Sequence, residues 1–205
     1  MKEKDNKQDQ QASVSETSET SETSKTVAST DEFTQKYIDS SKEVKDGYYL
    51  FKSKTNGYTM LFPINGKISN TSVDQRGDHY EGFTFGAKAL ERNLSYYFMI
   101  TYEDSAATSL VDGNLKLLSA AANYEGDYET FTHNSKTYYY AKSTFMTDEI
   151  KHYQYFSFIK SDKNEKGLRY YLDVSCIDEN KECLAGSEEL EEEFLSLIKS
   201  VDFLE

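Results

Sequence analysis

Residues 137–176, TYYYAKSTFMTDEIKHYQYFSFIKSDKNEKGLRYYLDVSC, decide the fold. Three runs rich in Tyr, Phe, Ile and Val, at 137–146, 151–161 and 167–176, are separated by Thr147-Asp148-Glu149 and by the polar stretch Asp162–Gly167. Aromatic and β-branched residues suit a pleated, half-buried surface, and connections this short join antiparallel neighbours. In the last run Leu168, Tyr170, Leu172, Val174 and Cys176 alternate with Arg169, Tyr171, Asp173 and Ser175. One face is therefore expected to be buried and the other wetter. The first run sets Tyr138, Tyr140, Lys142 and Thr144 against Tyr139, Ala141, Ser143 and Phe145. The second sets His152, Gln154, Phe156 and Phe158 against Tyr153, Tyr155, Ser157 and Ile159.

Working outward, residues 128–133 form a fourth strand ahead of this meander. Before it, Ser109 caps a helix whose Val111, Leu115, Leu118 and Ala122 fall on one stripe, with Gly126 ending it. Two strand pairs come earlier. One is a hairpin, 48–52 and 58–62, turning at Asn56-Gly57 and stopped by Pro63; the other is 80–87 with 94–103. Residues 64–79 read as a long loop. A first helix is expected near 30–44, opened by a Ser29–Glu32 capping box and striped by Phe33, Tyr37, Ile38 and Val44. A last helix follows Ser187, with Glu188 and Glu189 at its positive end and Leu190, Phe194, Leu197, Ile198 and Val201 on its apolar stripe. The order α-ββ-ββ-α-ββ-ββ-α predicts an α+β domain, with helices flanking a single, mainly antiparallel sheet.

The chain has two compositional regions. Residues 1–30 hold two Val, two Ala, one Met and no aromatic, whereas all 17 Tyr and 12 Phe lie beyond them. So polar a segment, with its Ser15–Thr23 SET repeat, cannot bury enough apolar surface to offset ordering, and is expected to be a disordered tether of roughly 30 Å root-mean-square span. Residues 31–205 are expected to form one domain. Net charge is −13, of which the first thirty residues carry −2. An acidic domain repels phosphate backbones, which argues against a nucleic-acid partner. No run of 18 apolar residues is present to cross a bilayer. Met1 is followed by KEKDNKQDQ, with no apolar signal region. A flexible Ser/Thr-rich leader on a folded domain is the arrangement left when a lipoprotein signal is cleaved. The expectation is an extracellular domain, joined to the cell membrane only by a lipidated cysteine that stood at the position of Met1.

Cys176 and Cys183 flank a polar loop between a strand and a helix. Their spacing fits neither a redox CxxC nor a zinc site, and an oxidising compartment favours pairing them. Closing so small a ring stabilises by about 2.5 kcal/mol.

The strand Gly57-Tyr58-Thr59-Met60-Leu61-Phe62-Pro63, the central helix, the meander and a terminal helix ending Ser200-Val201-Asp202-Phe203 resemble the PsbP/Mog1-like α/β/α sandwich, a fold used by lipoproteins of Gram-positive bacteria. The Trp that usually follows the proline is missing; this chain has no Trp. The resemblance implies an accessory or partner-binding protein and transfers no binding residue.

No catalytic signature, metal set or cofactor motif is legible. The three histidines, His79, His133 and His152, show no metal spacing, and the Ser-x-x-Lys tetrads at Ser157 and Ser196 lack their companion motifs. Asp162-x-Asn164 and Asp178-x-Asn180 echo a calcium loop only in part. Tyrosine offers contact area with a hydrogen-bonding tip, so Tyr138, Tyr140 and Tyr171, with His152, Gln154, Arg169 and Asp173, are the candidate ligand face. The residues favour a non-catalytic monomer binding a protein or cell-wall component. A hydrolase working through His152 or Asp173, and a structural assembly factor, are the alternatives.

Overall fold

A computed structural model describes residues 25–40 and 42–205. All strand pairing among them is antiparallel, but it forms two sheets rather than one. The larger is eight-stranded, in the order β3-β5-β6-β10-β9-β8-β7, with β4 also on β5. Its strands are β3 (Lys67–Ile68), β4 (Asp74–Arg76), β5 (Tyr80–Ala89), β6 (Leu94–Asp104), β7 (Glu129–His133), β8 (Lys136–Thr147), β9 (Ile150–Ser161) and β10 (Lys166–Cys176). The smaller sheet is β1 (Tyr48–Lys52), β2 (Tyr58–Pro63) and β11 (Asp202–Phe203), ordered β1-β2-β11. The expected 64–79 loop thus contains two short strands that lie along β5.

Both faces of the large sheet are covered, and each cover follows from apolar patterning. On one face lie the small sheet and α3 (Glu188–Lys199). Tyr58, Met60 and Phe62 alternate inward from β2 and are fully buried. Ser187 caps α3 by accepting from the Leu190 amide at 3.2 Å, and Phe194 sets its ring 5.7 Å from those of Tyr155 and Tyr170. On the other face α2 (Val111–Ala122) presses Leu118 and Ala122 onto Ala141, Phe156, Phe158 and Tyr171. From β6 the chain runs through α2 to the far edge, then meanders back from β7 to β10 beside β6.

Three local expectations shift. The first helix is only α1 (Val27–Thr30), capped reciprocally by Thr26 and Ser29 rather than by Ser29 and Glu32. Asp31 then turns the chain, accepting from the Thr34 amide and pairing with Lys67 at 2.9 Å, and a 3-10 turn over Thr34–Tyr37 follows. Tyr37 stacks on Phe51 while Val44 is exposed, so the supposed stripe belongs to no single face. The fold begins ahead of residue 31: Ala28 is fully buried and its amide donates to the Ile64 carbonyl at 2.9 Å. The disorder expected of residues 1–24 lies outside the described residues. Finally, Ser109 belongs to a 3-10 turn, Leu110 precedes α2 without a side-chain cap, and Asn123 in the left-handed region ends the helix before Gly126.

Candidate functional site

The register divides the candidate ligand face. Ala141 lies opposite Phe156, and Phe156 opposite Tyr171, so these share a face with Arg169, Asp173, Gln154 and His152. Tyr138 and Tyr140, offset by an odd number of residues from Ala141, point to the opposite side. There Tyr138 is fully buried against Phe131, and the Tyr140 hydroxyl donates to Glu191 of α3 at 2.9 Å. Tyr138 and Tyr140 are core residues of the face that carries the small sheet and α3, and they form no platform with Tyr171.

The rest lie on the face that carries α2, in three separate polar groups. Ser143 Oγ donates to Gln154 Oε1 at 2.6 Å, and Gln154 Nε2 donates to the Tyr171 hydroxyl at 2.6 Å. His152 Nδ1 meets Asp173 Oδ1 at 2.7 Å, with Phe145 stacked on the imidazole at 4.5 Å. Arg169 is held by Asn114 of α2 and lies 3.5 Å from Glu103. Burial raises the Asp173 carboxyl above its usual range against the lowering pull of His152, and burial with Asp173 pushes the Tyr171 phenol up to about 12. These groups largely satisfy one another. Ser143 and Phe145 were legible in principle, since they face Gln154 and His152 across β8 and β9.

A cleft of about 520 Å³ opens on the other face, where β5 and β6 meet the small sheet, α1 and α3. The inward row of β5 reads Phe83, Phe85, Ala87, Ala89. The change from rings to methyl groups leaves the space. Val27, Ile64 and Leu197 complete the apolar walls. Arg92 enters from the 3-10 turn Leu90–Arg92 and donates through Nη1 to Glu193 Oε2 at 2.7 Å, while the Tyr48 hydroxyl donates to Glu193 Oε1 at 2.8 Å. Arg92 Nε and Nη2 and the Tyr96 hydroxyl are sealed from solvent without a hydrogen-bond partner. Burial and the Glu193 carboxylate raise the Tyr48 and Tyr96 phenols far above the usual tyrosine range.

The disulfide loop grips Asn93, the residue next to Arg92. Cys176 and Cys183 are bonded, with Cα atoms 5.9 Å apart. Within the loop they close, the Asp178 and Glu182 carbonyls accept from Asn93 Nδ2 at 2.7 and 3.3 Å, and the Asp178 amide donates to Asn93 Oδ1 at 2.9 Å. The partial calcium loops are ordinary turns, with Asp162 accepting from Thr137 and Asp178 from the Asn180 amide. Among the described residues no cluster of three or more His, Cys, Asp or Glu is placed to hold a metal.

An antiparallel α+β sandwich, its large sheet covered on both faces and an apolar cleft at one end, is the class of protein these features define. The chain belongs to the family described as "Putative lipoprotein YvcA", whose profile matches residues 24–202. This accords with the Mog1-like resemblance of the Gly57–Pro63 strand. A protein of Bacillus subtilis (strain 168), itself described as "Putative lipoprotein YvcA", is 31% identical over 185 residues, covering 86% of this chain and 76% of that protein. Two solved structures are loosely similar in course. One, from Bacteroides thetaiotaomicron, has a TM-score of 0.43 at 10% identity and covers 76% of this chain; this chain spans only 48% of that one. The other is LpqN of Mycobacterium tuberculosis, described as involved in cell envelope biogenesis, with a TM-score of 0.42 at 7% identity over 77% of this chain and 91% of that one.

Proposed function

We propose that this chain is the extracellular domain of a lipid-anchored envelope protein, that it binds rather than catalyses, and that the cleft holds a cell-envelope component. The observation that carries the reading is the cleft of about 520 Å³ with apolar walls and a floor whose charges are already paired, Arg92 to Glu193. Its volume lies in the range of small-molecule sites. The carboxylate at its floor, Glu193, is already held by Arg92 and by the Tyr48 hydroxyl. His152 and Asp173, the candidates for hydrolysis, lie on the opposite face of the sheet and engage each other. The lipoprotein family and a disulfide, a bond that persists outside the reducing cytoplasm, support the location.

The test is a fluorescence titration with the apolar dye N-phenyl-1-naphthylamine. The domain is expected to bind one dye, and Ala89→Phe, extending the ring row of β5 into the cleft, to abolish that binding while the protein stays folded. Equal binding by the variant would remove the cleft from the function. Ala87→Leu, a smaller filling change, serves if Ala89→Phe does not fold.

A further inference from the structure

One edge of the large sheet is only half covered. β7 pairs with β8 from Lys136 to Tyr140 and stops, while β8 runs on to Thr147. Among the described residues no strand lies along the outer side of Ser143–Thr147. Two-residue turns with positive φ throughout, Asn134-Ser135 and Asp148-Glu149, fix the hydrogen-bonding phase of β8. His133 with Lys136, and Thr147 with Ile150, are the bonded pairs flanking those turns, so the even-numbered residues of β8 turn their amides and carbonyls outward. Soluble proteins blunt such an edge with charge, proline or a bulge. Here Phe145, Met146 and Ile150 are all exposed around it, and the edge cation, Lys142, is drawn off to Glu191 of α3 at 2.5 Å.

We propose that this edge pairs with the same edge of a second copy, antiparallel about a twofold axis perpendicular to the sheet. Such an axis keeps each face on its own side, so even residues meet even and odd meet odd. Centring on Phe145 sets it against its counterpart in the closer, non-hydrogen-bonded position. Thr144 then exchanges backbone hydrogen bonds with Met146, and Lys142 comes opposite Asp148. Centring on Thr144 instead leaves Phe145 against Ser143 and Lys142 against Met146, so the side chains select the first register. Around the edge each copy carries Lys142 and Lys151 against Asp148, Glu149 and Glu191, one acid in excess. That repulsion, and a contact short of the roughly 1,200 Å² of a stable interface, make the pair weak.

The experiment is sedimentation equilibrium of the full chain from about 10 µM to about 1 mM, with each variant's fold checked by its thermal midpoint. The parent is expected to dimerise with a Kd of about 0.1 mM. Thr144→Pro removes an outward amide that no bond within the copy uses, and is expected to leave only monomer. Lys142→Asp is expected to weaken the dimer about tenfold, and Lys142→Asp combined with Asp148→Lys to restore it. Residues 142 and 148 lie too far apart along one strand to touch within a copy, so that rescue acts only between copies. A parent that stays monomeric overturns the proposal and leaves the edge to a strand of another protein. A dimer of parental strength in Thr144→Pro, or no rescue by the double variant, overturns it as well.

Discussion

At the scale of single residues, the most consequential feature is a carboxylate inside the core. Glu81 is fully buried, Oε1 accepts from the Lys54 amide at 2.9 Å, and Oε2 has no partner. Burial raises its pKa, outweighing the Lys54 amide. A carboxyl that binds its proton more tightly folded than unfolded stabilises the fold most at and below the ordinary glutamate value. That contribution declines as pH rises through the folded value. Asp31 has the opposite sign. Its hydrogen bond to Lys67 and the Thr34 amide hold it at about 2, so its contribution is present above the ordinary aspartate value and is lost as pH falls toward about 2. Urea midpoints measured against pH should therefore show Glu81→Gln flattening the loss of stability as pH rises above the ordinary glutamate value, and Asp31→Asn flattening the loss as pH falls below the ordinary aspartate value. Identical profiles for both variants and the parent would refute the assignment. Neither effect was legible in the sequence, where Glu81 is one acid among 36 Asp and Glu. Its burial follows from lying on the inward side of β5, in line with Phe83 and Phe85.

At the scale of elements, the best-read piece was α3. Its Ser187 cap, acidic first turn and apolar stripe are all local signals, and all are present as expected. Ser187→Ala should cost about 1 kcal/mol of stability, as loss of an N-cap does, with little change in dye binding. The disulfide loop behaves differently because it is coupled to the cleft. Its backbone grips Asn93, whose φ of 56° lies in the left-handed region and which directly follows Arg92. Reduction, or Cys176→Ser with Cys183→Ser, should lower stability by about 2.5 kcal/mol and also weaken dye binding. Asn93→Ala should weaken binding with the disulfide intact. Binding unaffected by either change would show that the loop does not position Arg92. The first helix failed as a reading for an equally local reason. Asp31 and Thr34 spend their side chains on a turn, and Tyr37 is drawn to Phe51, so the stripe from Phe33 to Val44 never shares a face.

For the whole molecule, two covers on one sheet make two cores with different tasks. Leu118 of α2 is buried on Phe156 and Phe158, across the sheet from the cleft. Leu118→Ala should cost about 2–5 kcal/mol, measured by urea unfolding, yet leave dye affinity within about twofold, since distant sites act independently. A large loss of affinity at retained fold would show that the two faces are coupled. By itself the sequence determined the antiparallel meander from 137 to 176, the α+β class, the α3 helix and the Cys176–Cys183 pairing, because alternation, capping and short turns are properties of neighbouring residues. Only the tertiary structure decided which strand residues lie under which cover, which buried Tyr138 and Tyr140 on the face of the small sheet and α3 and separated them from Tyr171. It alone decided the cleft, whose lining comes from residue 27 to residue 197. Sequence periodicity tells which side chains turn the same way along one strand. What covers them, and where two covers fail to meet, depends on packing between segments far apart in the chain.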